Sequence, residues 1–476
     1  MYHKDIRRSL SERLSALFEL QKNLPMPLRP YQIDALVAMR EWLDDYDGTR
    51  RSYVEHPTGI GKTVLFASIA SFCAGLRLLI IVPTKVLIEQ TAKTIIKFTG
   101  GMLGHVSSLN NVCDDKGRTI AMRGHNYADV VITTDMSFAS SSASHRLVEE
   151  YSPHLIIFDE CHWACTGSIR HKLERYPESV IVGFSATPDY LTTVAKNGFE
   201  EIALENGQLL YAHPNRLAMS CFGALLDKMD VRSCIEDGWL SPLAWGSVSF
   251  NVSLDSIPVY EGVGGYDYQD SAMKIFMDKK WSTLSLAIQQ LYKAGEYDIP
   301  NRQTFAVCPS VVTAEELSRA ISALGIPSAC ITGSTTTKRR NEIFAAYTAK
   351  KIKLLTSVMV LREGWDAPLA EICLMLRPTR SRVVYMQTAG RVLRPGLDGL
   401  KKVSLVLDGR FENTRFSPLH APALFAPIGE EIREGEIIID VMKGAKGPAL
   451  PAGASPYARS YDRRIKVEQI PIEFQQ

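Results

Sequence analysis

His56-Pro57-Thr58-Gly59-Ile60-Gly61-Lys62-Thr63 is the stretch on which the reading of this chain turns. It follows a short strand-forming run, Ser52–Glu55, and precedes a helix-forming run, Val64–Phe72. A glycine-containing loop between a strand and a helix presents backbone N–H groups to a phosphate, and the helix adds the positive end of its dipole. In this pattern Pro57, Thr58, Gly59, Ile60 and Gly61 form the cradle. Lys62 reaches the β- and γ-phosphates, and the Thr63 hydroxyl holds Mg²⁺. The first position is usually glycine; here it is His56. A chance Gly-Lys-Thr turn is the bland alternative, and the strand–loop–helix context argues against it.

The second signal is Leu155-Ile156-Ile157-Phe158-Asp159-Glu160-Cys161-His162, an apolar strand running out into two consecutive acids. Carboxylates at the C-terminal end of a parallel strand sit where ligands bind in such sheets. Asp159 is expected to hold Mg²⁺, directly or through water. Glu160 is expected to orient the attacking water, because positioning dominates phosphoryl transfer. An acidic strand cap engaged in a salt bridge is the alternative, and the phosphate loop upstream disfavours it.

Around these motifs the chain alternates between strand and helix patterns. Residues 1–24 read as an amphipathic helix, closed by Pro25, Pro27 and Pro30. Apolar runs at Leu78–Val82, Val130–Thr133, Leu155–Phe158 and Val180–Phe184 alternate with helical stretches such as Val86–Lys97. Runs this continuous suit strands buried on both faces of a parallel sheet. A second alternating series follows at Thr304–Cys308, Ser328–Thr332, Ile352–Thr356, Ile372–Leu376 and Val403–Asp408. The expected organisation is an N-terminal arm (1–27), a first α/β lobe (28–190), a connector or insert (191–270), a second α/β lobe (271–415) and a C-terminal appendix (416–476). The appendix is rich in Pro, Gly and Ala over 444–457.

Composition sets the outer bounds. With 476 residues, 46% hydrophobic and 22% charged, the chain is a packed globular protein of several domains. The net charge of +2 gives no global basic signal, but a motor on a strand needs only a local groove. Nine cysteines without a Cys-x-x-Cys pair make a disulfide framework or a four-thiolate zinc site a poor reading. Cys161, His162 and Cys165 fall short of the usual four zinc ligands. No apolar run reaches the roughly 18 residues needed to span a bilayer. The N-terminus carries Asp5, Glu12 and Glu19 and lacks a signal-peptide core. A soluble, cytoplasmic protein with no membrane partner is the expectation, with a monomer favoured.

These motifs resemble those of superfamily 2 helicases, and most those of the group related to XPB-type DNA helicases and the motors of restriction systems. Leu28-Arg29-Pro30-Tyr31-Gln32 resembles the family's adenine-reading motif, Asp159-Glu160-Cys161-His162 its Walker B box, and Ser185-Ala186-Thr187-Pro188 its coupling motif. The resemblance covers about residues 28–410 apart from the connector. It implies two RecA-like lobes in tandem that close on ATP. Gln32 would then bond the adenine edge with Tyr31 packed nearby, and Ser185 and Thr187 would link phosphate state to lobe movement.

A cleft of this kind needs positive charge from the second lobe. Tyr385-Met386-Gln387-Thr388-Ala389-Gly390-Arg391-Val392-Leu393-Arg394 resembles the family's arginine-finger motif, with Arg391 and Arg394 three apart on one helix face. Arg394 is expected as the finger, Arg391 as a second phosphate contact and Gln387 as part of the motif. Glu363-Gly364-Trp365-Asp366-Ala367-Pro368 resembles the motif that touches ATP and strand. There Gly364 permits a tight turn, Asp366 contacts the sugar or an arginine, and Trp365 is read as packing.

Four strand-end loops resemble the family's strand-contacting motifs: Pro83-Thr84-Lys85, Thr133-Thr134, Thr332-Gly333-Ser334 and Thr356-Ser357. Short hydroxyls and backbone N–H groups bind phosphate without reading bases, although such residues are also ordinary turn formers. Lys338-Arg339-Arg340 reads as a solvated helix start, and Ser233–Pro242 resembles the segment preceding the second lobe in the XPB-like group. The implied function is an ATP-dependent helicase or translocase, 3′ to 5′ by resemblance, on DNA in preference to RNA. Three rivals remain: a double-strand translocase, a motor subunit of a restriction complex, and a nucleic-acid-gated switch. Asp278-Lys279-Lys280 fits a nuclease element only loosely. Protein partners are expected to use 191–270 or 416–476.

Overall fold

A computed structural model describes residues 3–45, 49–114, 116–189, 197–262, 265–358, 369–395, 403–411 and 418–426, apart from a few positions within them, and the short segments 431–433 and 464–466. The chain divides into two compact units. One comprises Met1–Tyr190 and His213–Met229; the other comprises Leu191–Ala212 and Asp230–Gln476.

The first unit opens with α1 (His3–Leu20), α2 (Pro30–Asp44), β1 (Arg51–Glu55), α3 (Lys62–Phe72), β2 (Leu78–Val82) and α4 (Lys85–Thr99). It continues through β3 (Leu103–Val106), β4 (Val112–Cys113), β5 (Thr119–Arg123), β6 (Val130–Thr134), α5 (Asp135–Ala139) and α6 (Ala143–Tyr151). Then come β7 (Leu155–Asp159), α7 (Gly167–Leu173) and β8 (Val180–Ser185). After a hairpin of β9 (Glu200–Ala203) and β10 (Leu209–Ala212), α8 (Ala218–Phe222) and β11 (Ala224–Lys228) return to this unit. Among the described residues the sheet has nine strands in the order β11-β1-β8-β7-β2-β6-β3-β5-β4. Its pairings are parallel except β4 with β5.

Successive side chains on a strand point to opposite faces, and the core divides accordingly. Leu78, Ile80 and Val82 pack with α1 to α4, while Leu79 and Ile81 pack with α5 to α8. Every residue of β2 is buried, as its unbroken apolar run requires. The N-terminal arm belongs to this core, since Ile6, Leu10 and Leu14 are each 1% exposed within the cluster around α2 and α3.

In the second unit α9 (Val231–Glu236) leads to β12 (Leu243–Phe250), the hairpin β13 (Val259–Gly262) and β14 (Gly265–Tyr268), and the long α10 (Asp270–Ala294). The alternation then runs β15 (Thr304–Val307), α11 (Val311–Ser322), β16 (Ser328–Ile331), α12 (Thr337–Thr348), β17 (Leu354–Ser357) and β18 (Ile372–Met375). It ends with α13 (Arg382–Ala389), β19 (Ser404–Phe411) and α14 (Ala421–Phe425). Among the described residues its sheet has six strands, all parallel, in the order β12-β19-β18-β15-β17-β16.

Residues 191–270, read above as a connector, therefore supply one strand to each sheet: β11 beside β1 and β12 beside β19. The early part of the appendix likewise packs in the second unit, where Ala421 and Ala426 are fully buried. Its Pro, Gly and Ala-rich part lies outside the described residues. Among the described residues no helix is long and apolar enough to cross a membrane.

Candidate nucleotide site

In the first sheet β1, β8 and β7 are parallel neighbours, with Glu55 opposite Ser185 and Phe184 opposite Asp159. Their C-terminal ends lie side by side at one sheet edge. That edge carries the phosphate loop after β1, Ser185-Ala186-Thr187-Pro188 at the end of β8, and Asp159-Glu160 at the end of β7.

Gly59 and Gly61 both take positive φ, 95° and 94°, a conformation that side chains disfavour. A Cβ at Gly61 would also stand 3.2 Å from the Gln32 amide nitrogen. Lys62 Nζ donates to the carbonyls of His56 at 3.1 Å and Pro57 at 3.5 Å, so the ammonium lies across its own loop. The start of α2 latches onto the same loop. Tyr31 donates its hydroxyl to Ile60 O, and Gln32 Nε2 donates to Gly61 O at 3.3 Å. The other end of the Gln32 amide accepts from Arg29 N–H at 2.9 Å. His56 is fully buried, its backbone N–H donates to Ser185 O at 3.0 Å, and its Nε2 lies 2.5 Å from Asp227 Oδ2 on β11. The ring thus spans from loop to edge strand, which is why a side chain stands at a position where glycine is usual.

Glu160 has φ of 53°, unusual for a residue with a side chain. Such backbone costs about 1–3 kcal/mol and persists only where surrounding contacts hold it. Here they do. Ser185 Oγ donates to Glu160 Oε2 at 3.2 Å and accepts from Thr187 N–H at 3.1 Å. His162 Nδ1 lies 3.1 Å from that hydroxyl and 3.4 Å from Glu160 Oε2. The expected coupling residues and the expected water-orienting acid thus share one oxygen. Thr187 Oγ1 and Thr58 Oγ1 are buried with no partner among the described residues. The segment after Glu160 packs flat on β8 because residue 183 is glycine: a Cβ there would stand 2.7 Å from Cys161 Cβ. Cys161 is fully buried and Cys165 nearly so, and burial pushes the Cys161 thiol well above its ordinary range.

The donor set offered to Mg²⁺ is one hydroxyl, Thr63 in the first turn of α3, and one carboxylate, Asp159, both half-buried. Mg²⁺ is commonly held by one or two protein oxygens together with substrate phosphates and water, so these residues fit a magnesium–nucleotide complex.

In the second unit α13 ends at Ala389, and Arg391 and Arg394 lie beyond it. Arg391 N–H donates to Thr388 O and Leu393 N–H to Gly390 O, at 3.2 and 3.3 Å. The expectation of one α-helical face is corrected to a run of tighter turns, in which positions three apart still align. Arg391 is 6% exposed and Gln387 3%. Burial lowers the Arg394 guanidinium to about 10, so it stays cationic at neutral pH. Ser241, from the Ser233–Pro242 segment, pins this turn: its N–H donates to Leu393 O at 2.6 Å and its hydroxyl to Arg394 O at 3.1 Å.

Sequence reading missed the hub beneath α13. Asp408 on β19, 1% exposed, accepts from Tyr385 Oη at 2.8 Å, Trp245 Nε1 at 2.9 Å and Ala421 N–H at 2.9 Å. It missed Asp267 too, which accepts from Thr379 Oγ1 at 2.8 Å and Arg380 N–H at 2.9 Å in the turn before α13. The serine at 381, an N-cap signal just before a helix, was the visible clue; its hydroxyl accepts from Val384 N–H at 3.4 Å.

The strand-end loops divide. Lys85, Gly333 and Ser334 are exposed, Pro83 and Thr84 half-buried. Thr133 and Thr356 are fully buried and donate inward, to Val106 O at 2.9 Å and Ala314 O at 2.8 Å. The Thr133 hydroxyl ties β6 to β3 and the Thr356 hydroxyl ties β17 to α11, which corrects the expectation that they face a nucleic-acid strand. The Thr134 hydroxyl caps α5 by accepting from Ser137 N–H at 3.1 Å, and Ser357 is fully buried. Lys338, Arg339 and Arg340 occupy the first turn of α12. Gly364, Trp365 and Asp366 lie outside the described residues. Asp278 accepts from Ser310 Oγ at 2.5 Å, where Ser310 caps α11, which assigns this acid to helix capping.

Residues 25–190 match the family model described as the type III restriction enzyme res subunit, and residues 265–396 match the helicase conserved C-terminal domain. The candidate ATP-dependent helicase IRC3 of Saccharomyces cerevisiae is 24% identical over 445 residues, covering 89% of this chain and 57% of that protein. The candidate mitochondrial ATP-dependent helicase irc3 of Schizosaccharomyces pombe is 27% identical over 402 residues, covering 81% of this chain and 58% of its own. The chain thus spans less than two thirds of the length of these relatives. Among solved structures, a fragment of a candidate HsdR subunit of a type I restriction enzyme from Vibrio vulnificus YJ016 aligns with TM-score 0.54 and 20% identity, over 80% of this chain and 64% of that one. The type ISP restriction-modification enzyme LlaBIII aligns with TM-score 0.53 and 14% identity, over 80% of this chain and 28% of that one. With both matches in order, one on each of two parallel-sheet lobes of the RecA-like kind, the chain carries the two domains of an ATP-dependent helicase and is similar to restriction-enzyme motors.

Proposed function

We propose that this chain is an ATP-driven motor that moves along a nucleic acid, with DNA as the favoured track. The observation carrying this reading is the alignment of β1, β8 and β7. It brings the phosphate loop, the coupling segment and the two acids to one sheet edge, with Ser185 joining Glu160 to Thr187.

In this reading Lys62 and the loop of residues 57–61 hold the phosphates, and Thr63 and Asp159 hold Mg²⁺. Tyr31 and Gln32 fix the adenine side. Glu160 orients the attacking water, and Ser185 and Thr187 report its state. Arg394 serves as the arginine finger and Arg391 as a second phosphate contact, with Gln387 beside them. Pro83, Thr84, Lys85, Gly333 and Ser334 follow the phosphate backbone, where contacts carry little sequence information and binding weakens steeply with salt.

The DNA assignment rests on the restriction-motor family. The LlaBIII structure is of that enzyme bound to DNA, whereas the helicase Dbp5 of Saccharomyces cerevisiae, aligned with TM-score 0.50 and 12% identity over 84% of this chain and 88% of its own, is bound to RNA. The deciding experiment compares ATPase rate with single-stranded DNA, duplex DNA and RNA. Stimulation by DNA is expected; stimulation by RNA alone overturns the DNA assignment, and no turnover with any overturns the motor. A forked duplex then separates strand parting, expected 3′ to 5′, from translocation alone. The res-subunit match to the first lobe favours a second reading, a motor serving a nuclease partner.

A further inference from the structure

The N-terminal helix has no part in the motifs above, yet it grips both helices that carry them. Arg7 is 2% exposed and lies at the C-terminal end of α2. Its Nη2 donates to Trp42 O and, at 3.1 Å, to Asp45 O. Its Nε donates to Leu43 O at 3.2 Å, and its Nη1 to Thr49 O at 2.6 Å. The guanidinium also lies 4.5 Å from the centre of the Trp42 ring. Two turns further along α1, Arg13 Nη1 donates to Phe72 O at 3.1 Å and Ala74 O at 2.6 Å, at the C-terminal end of α3. Between them Ser11 Oγ donates to Asp44 Oδ1 at 2.5 Å.

Helix C-termini leave carbonyls without intrahelical partners and carry partial negative charge, so a guanidinium there satisfies both. The consequence here is geometric. α2 and α3 begin at the nucleotide site, α2 with Tyr31 and Gln32 and α3 with Lys62 and Thr63. They are rods of 15 and 11 residues, about 22 and 16 Å long at 1.5 Å per residue. Their front ends are latched together by Tyr31 to Ile60 O and Gln32 to Gly61 O. Among the described residues α1 bridges their back ends through the contacts just described, with Ile6, Leu10 and Leu14 packed into the core around both.

We propose that α1 is a positioning element for the nucleotide site: Arg7 and Arg13 fix the spacing of the adenine-side and phosphate-side helices from behind. Loosening either grip lets one helix pivot about the latch and misaligns Gln32 with the phosphate loop. The coupling is reciprocal, as any coupling between two binding events is. Nucleotide at the front tightens α1 at the back.

The inference rests on the nucleotide-site reading, and its test separates the two. Affinity for a fluorescent ATP analogue is measured on the full chain and on the Arg13→Ala and Arg13→Lys variants, together with KM and kcat. About fivefold weaker binding is expected for Arg13→Ala, at the low end of ordinary coupling. KM should rise with kcat largely kept, and Arg13→Lys should fall between. Failure of the unaltered chain to bind the analogue overturns the nucleotide-site reading. Binding by the unaltered chain with unchanged affinity in both variants, even if they melt earlier, overturns this inference alone. Should Arg13→Ala not fold, amide hydrogen exchange over α1 in the unaltered chain decides it: exchange slowed by the analogue supports the coupling, and unchanged exchange refutes it.

Discussion

His56 Nε2 lies 2.5 Å from Asp227 Oδ2, joining the first residue of the phosphate loop to the last strand of the first lobe. Asp227 is two residues from Met229, where the chain leaves that lobe for the second. Asp227→Ala strands a fully buried imidazole, at a cost of about 1–3 kcal/mol. We expect a lower melting temperature and weaker ATP binding, with Asp227→Asn milder. Unchanged ATP affinity in the alanine variant, read by calorimetry, would show that the contact does not shape the loop.

Glu160 shares its carboxylate with Ser185 and His162. Glu160→Gln should abolish turnover while keeping ATP binding, because the amide retains the shape but polarises water poorly. Lys62→Ala should weaken both. Single-turnover hydrolysis next to analogue binding distinguishes them, and near-normal hydrolysis by Glu160→Gln would remove Glu160 from the reaction.

Arg394 is a partly desolvated cation held by its own backbone to Ser241. Arg394→Ala should reduce kcat by about 10³-fold or more, as loss of an arginine finger does in well-studied nucleotidases. Analogue binding at the first lobe should remain. A kcat within tenfold of the unaltered chain would mean that another cation serves the phosphates.

Asp408 accepts from three buried donors on three elements. Asp408→Ala leaves Tyr385, Trp245 and Ala421 N–H without that partner. At about 1–3 kcal/mol for each stranded group, the second lobe should unfold at clearly lower urea while the first is little changed. A single unshifted urea transition would contradict the hub.

Acid should destabilise the first lobe. His105 is fully buried, with Nε2 3.1 Å from Asn110 O and Nδ1 3.2 Å from Ser107 Oγ. Burial, with a smaller push from Arg123, holds its pKa below the ordinary 6.5 against the pull of the Asn110 carbonyl. The unfolded chain therefore takes up its proton first. The stability from keeping this ring neutral is complete above about pH 6.5 and is lost as pH falls through the folded-state pKa. His3 and His154 shift the same way. Urea midpoints between pH 7.5 and 5.5 should fall, and fall less for His105→Gln; parallel slopes would assign the effect elsewhere.

The sequence alone determined the paired helicase-type domains and the buried central strands of both sheets. Its signals are local: an apolar run such as Leu78–Val82 must be buried on both faces, and a Gly-x-Gly-Lys-Thr loop has few other uses. It also determined which segments meet at the site, because strands of a parallel sheet all end at one edge. Tertiary structure alone decided the partners across that edge. Strand pairing joined β11 to β1 and so gave His56 its acid, although nothing near His56 in sequence announces Asp227. Packing turned Thr133 and Thr356 inward, since a strand-end hydroxyl faces a ligand or a neighbouring carbonyl according to what lies beside it. Long-range contact brought an N-terminal helix, legible only as amphipathic, against the C-terminal ends of α2 and α3, whereas the motif at His56–Thr63 could be read from eight residues.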